Sequence, residues 1–254
     1  VFNYNKEWDA FMNIAEQESL EVVISNTTEA GLAYKEVKLE EVSTEGLYPA
    51  KLTAFLMHRF NVLGNISKKL LMFPWELVAE NGKVLKGFVE KHSNDFGASE
   101  EFKTWVNENC VFLNNLVDRI VPGFPSANAD EYFENLGYKD GALSMCEPYF
   151  LWAIEGDKEL DNILPLNASG LNVQWLESLS DTQLLKVRIL NGSHTLITPL
   201  SILKGFKQVD EVVENDEMKA FLNETLENEI LPSIKNKTGN KEEFASTVLS
   251  RFRN

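Results

Sequence analysis

The chain has 254 residues, 44% of them hydrophobic and 25% charged, with a formal net charge of −15, which fits a folded protein with room for one large domain or two ordinary ones. So acidic a chain disfavours non-specific binding to nucleic acid or to anionic membranes, and no apolar run reaches the roughly 20 residues needed to span a bilayer. Cys110 and Cys146 are the only cysteines and lie too far apart in sequence for a zinc knuckle or a disulfide framework, so a reducing, cytoplasmic setting is expected.

Residues 20–27 read as a buried strand running into a polar loop from Asn26 to Gly31. A weakly patterned acidic stretch follows, and Pro49 is well placed to open a helix over 50–63, because its missing N–H costs nothing in a first turn. A second apolar run covers 68–78, residues 79–82 make a turn, and 83–92 read as a helix. His58 and His92 lie among charged neighbours and read as solvated surface residues. An amphipathic helix fits 99–108, with Phe102, Trp105 and Val106 on its apolar side. Residues 111–121 read as a third strand broken up by polar residues, 128–137 as a short helix, and 149–154 as a fourth strand.

Strand and helix thus alternate through residues 1–160, the signature of a mainly parallel sheet covered by helices. The turn-rich segment 165–171 is the candidate boundary, dividing 1–168 from 169–254. After one short strand near 172–177 the pattern is helical to the end, so the expected fold class is α/β followed by mainly α. Ser180-Asp-Thr-Gln183 has the form of a capping box. It opens a helix expected to run to about Leu203 and to stop at Gly205. Two further helices are expected over 217–230 and 240–252.

Chemistry is concentrated in Lys186-Val-Arg-Ile-Leu-Asn191-Gly-Ser-His194. On an α-helical wheel Asn191 lies about 140° and His194 about 80° round from Lys186, so the three share one arc beside the apolar stripe. A lysine held against apolar surface can act as a general base near neutral pH, and an asparagine amide can donate to a developing alkoxide. In a parallel sheet, ligands bind outside the carboxyl ends of the strands. The polar turns at Ser25 to Gly31, Glu80 to Gly82, Asn114 to Arg119 and Glu155 to Asp157 fall at such ends. Asn81-Gly82 by itself reads as a turn, and Asp118-Arg119 reads equally well as a structural ion pair. His58, His92 and Glu29 have no known metal-ligand spacing. The chain contains no G-x-G-x-x-G, no Walker loop and no G-x-S-x-G elbow.

Lys186-x4-Asn191-x2-His194 matches the K-x4-N-x2-H motif of the mannitol dehydrogenase family, the polyol-specific long-chain dehydrogenases. Asn114-Asn-Leu-Val-Asp-Arg-Ile120 is similar to that family's N-S-x-V-D-R-I segment, departing at Asn115 and Leu116. Ser25–Gly31, Tyr48–Thr53, Val117–Val121 and Arg251–Asn254 resemble its hexuronate branch; Thr28–Gly31 stands where other branches more often carry a T-E-K-G-Y-type loop.

The resemblance implies a metal-independent, NAD-dependent oxidoreductase that moves a hydride directly between nicotinamide and a small sugar-acid substrate. It implies the back part of a Rossmann-type NAD-binding domain, without its Gly-rich turn, followed by the start of a helical substrate domain. Both ends therefore read as cut from a longer protein. Under the resemblance Lys186 is the general acid/base, Asn191 and Asn81 hold the oxyanion, and His194 orients the substrate. Val117 and Asp118 lie by the nicotinamide, and Asn26, Thr28 and Glu29 belong to the cofactor-binding set. Arg251 and Asp118 contact the substrate, whose carboxylate Arg251, Arg253 or Arg119 would clamp. The alternatives are another polyol or hexuronate substrate of the family, a folded fragment without catalysis, or an interaction module.

Overall fold

The computed structural model describes residue 3 and residues 6–65, 68–235 and 240–253. Asn254, the last residue of the Arg251–Asn254 motif, lies outside the described residues. Contacts divide the chain into two units, Val1–Glu177 and Ser178–Asn254.

The first unit begins with α1 (Trp8–Met12) and a 3₁₀ turn, Asn13–Glu16, followed by β1 (Val22–Ser25). The acidic stretch that has no clear pattern in sequence holds the short α2 (Val42–Glu45). α3 (Tyr48–Leu63) has Pro49 in its first turn, as expected. Its buried Arg59 donates to the Ala15 and Gln17 carbonyls at 2.7 and 2.8 Å, which ties the N-terminal turns to the helix.

β2 (Leu70–Pro74) is buried along its whole length, as a central strand covered on both faces must be. It lies between β1 and β3 (Cys110–Phe112), parallel to both, with Val23 opposite Met72 and Leu71 opposite Val111. Between β2 and β3 run α4 (Asn81–Asp95) and α5 (Glu100–Asn109); the Ser99 side chain caps α5 by accepting from the Phe102 N–H. α4 starts two residues before the expected position, so Asn81 and Gly82 open the helix rather than form a turn. The reversal is made instead by Glu80, at φ 52°.

The single strand expected over 111–121 is two strands in two sheets. Leu113, buried at the junction, still donates to Met72 O, and β4 (Asn114–Asp118) then leaves the first sheet. The Asn115 N–H goes to Asn81 Oδ1 and its side chain bonds back to Leu113 O, which redirects the backbone there. After α6 (Ala129–Leu136), β5 (Leu151–Glu155) pairs antiparallel with β4 and parallel with β6 (Val173–Leu176). One core joins α3, α4 and α5 around Phe55, Leu56, Leu85 and Trp105. Another joins the two sheets through Leu71, Phe73, Leu113, Trp152 and Ile154.

His92 departs from expectation. It is fully buried in α4, its ring stacked between Tyr34 and Phe96, and neither ring nitrogen has a hydrogen-bond partner among the described residues. The apolar wheel position of His92 outweighs its charged sequence neighbours. His58 is partly exposed and lies 2.9 Å from Glu16.

The second unit is helical: α7 (Ser180–Leu185), a π turn over Lys186–Asn191, α8 (Gly192–Lys204), α9 (Val209–Glu214) and α10 (Asp216–Thr225). A second π turn, Leu226–Ile230, leads into α11 (Leu231–Ser233), and α12 (Lys241–Arg251) follows. Gly205 ends α8 in the left-handed conformation, as its position in the sequence predicts. The capping box at Ser180 does not form: Leu179 precedes the first turn, and the Ser180 N–H is taken by Ser178 Oγ. α9 is not evident from the sequence, yet it carries a working box in which the Glu211 carboxylate accepts from the Gln208 N–H. No helix among the described residues is long and apolar enough to cross a membrane.

Candidate functional site

In the first unit, buried polar groups gather at the carboxyl ends of β1 and β2. Glu76, only 2% exposed, accepts from Ser25 Oγ at 3.0 Å, from the Thr27 N–H at 3.0 Å and from Thr27 Oγ1 at 2.9 Å. Tyr48, at the start of α3, is hydrogen-bonded to Ser25, and burial raises its hydroxyl pKa above the ordinary value. Ser25 opens one of the polar strand-end turns and Tyr48 one of the resembling segments, but Glu76 is not evident as a site residue in the sequence. The one signal is a lone glutamate inside the apolar run 70–78, where a carboxylate is costly unless it has partners. The expected cofactor residues Asn26, Thr28 and Glu29 stand on the same loop, all exposed.

Asn81 sits at the next strand end and is 1% exposed. Its Nδ2 donates to Glu76 O at 3.0 Å and Asn115 O at 2.9 Å, while its Oδ1 accepts from the Asn115 N–H at 2.8 Å and the Gly82 N–H at 3.0 Å. Both amide donors are thus engaged with backbone carbonyls, so in this conformation Asn81 is a clamp between α4 and β4. Donation to an oxyanion would require it to release one of them. Asn115 extends the network by accepting from Trp152 Nε1 at 2.8 Å. Val117 and Asp118 follow in β4, both half-buried and opposite Trp152 and Leu151. Arg119 turns to the Glu147 carbonyl, 2.9 Å from Nε, and to the Phe150 ring.

In the second unit the Lys186 motif does not follow the α-helical wheel. The Gly192 N–H reaches back five residues to Val187 O, which defines the π turn. Residues five apart in such a turn sit one above the other more nearly than in an α-helix, so Asn191 swings back toward the Lys186 side. Lys186 is buried at 8% exposure, whereas Asn191 and His194 are exposed. α12 packs on the same helix through Ile189, Leu190, Ile197, Ala245, Val248 and Phe252. This brings Phe252 edge-on to His194, with ring centroids 6.3 Å apart; Arg251, the residue before it, is buried. Thr198 Oγ1 donates to His194 O at 2.6 Å and lies 3.4 Å from its Nδ1. Arg253 is exposed. The second unit therefore carries Lys186, Asn191 and His194 on one helix and Arg251 on a second that packs against it.

Residues 2–168 match the model of the Mannitol dehydrogenase Rossmann domain, and residues 179–254 that of the Mannitol dehydrogenase C-terminal domain. The chain is 42% identical over 248 residues to altronate oxidoreductase of Halalkalibacterium halodurans, covering 97% of this chain and 48% of that protein. It is 39% identical over 249 residues to altronate oxidoreductase of Bacillus subtilis, covering 98% of this chain and 52% of that protein. The chain thus spans about half the length of the curated relatives it matches.

Among solved structures it resembles D-sorbitol dehydrogenase in substrate-free form, with a TM-score of 0.77, 22% identity and coverage of 98% and 53% of the two chains. It also resembles Pseudomonas fluorescens mannitol 2-dehydrogenase in a ternary complex with NAD and D-mannitol, with a TM-score of 0.73, 18% identity and coverage of 99% and 52%. At these identities the likeness concerns the fold. A Rossmann domain followed by a helical domain, each matched by its own family model in the expected order, shows that the chain belongs to the mannitol dehydrogenase family.

Proposed function

We propose that the protein containing this chain is a cytoplasmic, NAD-dependent, metal-independent oxidoreductase that interconverts tagaturonate and altronate. The observation that supports the reading is that Lys186, Asn191 and His194 lie on one helix and Arg251 on a second helix packed against it. The altronate oxidoreductases among its relatives support the substrate. Lys186, buried at the start of the π turn, exchanges the proton with the substrate oxygen as general acid/base. The Asn191 amide donates to that oxygen as negative charge develops on it. His194, held by Phe252 and Thr198, orients the substrate, and Arg251 provides the forked donor that suits a sugar-acid carboxylate.

Bound NAD supplies the hydride acceptor, and its reduced form the donor. The strand-end edge of the first unit fits the nicotinamide end, with Asn26, Thr28, Glu29, Val117 and Asp118 as the residues that would hold it. Residues 1–168 are the nucleotide-binding part and 169–254 the start of the substrate domain.

Lys186→Ala in the full-length protein tests the assignment. Turnover should fall by about 10²–10⁴-fold, the usual weight of a positioned acid/base, with NADH affinity nearly unchanged. Undiminished turnover would refute the role of Lys186. NADH oxidation measured side by side with tagaturonate, fructuronate and fructose tests the substrate, and a preference for either of the latter two would overturn it. The absence of a G-x-G-x-x-G turn from this sequence favours a second statement about the chain in isolation: it binds NADH weakly or not at all. Fluorescence titration of the isolated chain should show no NADH binding in the micromolar range, and a micromolar Kd would defeat this.

A further inference from the structure

We infer that Glu76 is a positioning residue for the cofactor, holding the loop from Ser25 to Gly31 in the shape that presents Asn26, Thr28 and Glu29 outward. The inference rests on the reading that this loop contacts NAD. Along the loop the side chains divide. Ser25 and Thr27 turn inward to the Glu76 carboxylate, whereas Asn26, Thr28 and Glu29 are exposed. All the loop's side-chain and backbone donors to Glu76 come from the two inward residues.

Glu76 accepts three hydrogen bonds through its two carboxylate oxygens. Among the described residues no lysine or arginine pairs with it. A buried carboxylate is a poor choice for stability alone, because an apolar side chain of similar volume would serve the core as well or better. What the carboxylate provides, and an apolar group cannot, is a fixed attachment for the loop.

The attachment carries further along the chain. Gly31 folds back on Thr27 so closely that an added Cβ would lie 2.7 Å from Thr27 Oγ1, so the position of Thr27 sets the exit of the loop as well as its entrance. On the other side, the backbone carbonyl of Glu76 accepts from Asn81 Nδ2 at 3.0 Å. The same residue therefore ties the loop after β1 to the start of α4, and through Asn81 to Asn115 in β4, three residues before Asp118.

The test uses Glu76→Ala and Glu76→Gln in the full-length enzyme, each checked for folding by thermal melting. Glu76→Ala frees both inward residues, so KM for NADH should rise at least about tenfold while kcat changes by less than about threefold, since a misplaced positioning group weakens binding before chemistry. In Glu76→Gln the amide oxygen still accepts from Thr27 and the NH₂ group can donate to Ser25 Oγ. The loop is retained, and KM should stay within about threefold of wild type.

A lower melting temperature in Glu76→Ala with unchanged KM for NADH would show a merely structural role and overturn the inference. So would a glutamine variant as impaired as the alanine one, because the charge rather than the attachment would then matter. Should Glu76→Ala not fold, Thr27→Val takes its place: it removes one of the three bonds, and KM for NADH should rise about threefold, with a wild-type KM overturning the inference. Asn26→Ala separates the two levels. If it and Glu76→Ala both leave KM for NADH unchanged, the loop does not contact the cofactor and the underlying reading fails. If Asn26→Ala raises KM and Glu76→Ala does not, only the role of Glu76 fails.

Discussion

Gly82 and Gly87 lie in the same helix, and the same substitution should move stability in opposite directions at the two sites. At Gly82 an added Cβ would stand 2.4 Å from the carbonyl carbon and oxygen of Leu113 and 2.8 Å from the Asn114 nitrogen. Carbon atoms pack best about 3.5–4.0 Å apart, and the obstacle here is backbone, which cannot swing aside. If the strain is retained, overpacking costs about 1–3 kcal/mol. If the start of α4 retreats by about 1 Å instead, the Asn81–Asn115 bonds of 2.8 and 2.9 Å and the bond from Lys83 N to Asn114 Oδ1 of 3.1 Å all stretch past hydrogen-bonding range.

Three bonds at about 1 kcal/mol each give a similar loss. Against either stands the gain of up to about 1 kcal/mol from alanine over glycine in a helix. The clash wins, and Gly82→Ala should destabilise by about 2 kcal/mol, or about 6 °C in Tm at roughly 2–4 °C per kcal/mol. At Gly87 nothing lies within 4 Å of an added Cβ. Only the helix gain remains, and Gly87→Ala should raise Tm by about 2–4 °C. Thermal unfolding of the two variants, followed by circular dichroism, measures both. A Gly82→Ala protein as stable as wild type would refute the close approach of α4 to the β3–β4 junction.

His92 should make the protein sensitive to mild acid. Burial, with a smaller push from Lys91, depresses its pKa below the ordinary 6.5, while Asp95 acts in the opposite sense. The folded state therefore holds the ring neutral where the unfolded state takes up a proton, so this stability is complete above pH 6.5 and is lost as pH falls below it. His92→Phe, which fits the stack between Tyr34 and Phe96, should lose less stability than wild type between about pH 7 and pH 5 in denaturant titrations; equal losses would refute the assignment. The two cysteines should differ in reactivity. Burial pushes the Cys110 thiol up to about 12, whereas Cys146 is exposed. Iodoacetamide should add one adduct to the folded protein, at Cys146, and a second only after unfolding; rapid labelling of Cys110 would show that β3 is open.

Periodicity located most of the elements, because apolar runs and turn residues report burial directly. It gave the strands at 22–25 and 151–155 and the helices starting at Tyr48 and Glu100 to within two residues. It failed where side-chain amides replace backbone pairing. Asn114 and Asn115 look like interruptions of a strand, but they bond to Lys83 N, Leu113 O and Asn81, and so turn one strand into two. His92 misled because charge in neighbouring residues says little about the face on which a helical residue falls. Glu76 shows in the sequence only as a lone carboxylate in an apolar run, since its partners Ser25 and Thr27 lie 51 and 49 residues away.

The Lys186 motif lies in an irregular stretch of its helix. Asn191 is five positions on from Lys186, and an α-helix would set the two about 140° apart. The π turn over Lys186–Asn191 narrows that angle by taking one extra residue into the turn. Such turns are rare, so something must hold this one. In the second unit the holder is packing: Ile189 within the π turn is fully buried, and Leu226, which opens the second π turn, is 2% exposed in the same core as Val248 and Phe252 of the α12 end. The first π turn is in contact with both the second π turn and α12. The core that stabilises the irregular helix is thus the core that brings Phe252 to His194, and the geometry of the motif and the docking of α12 depend on the same apolar side chains.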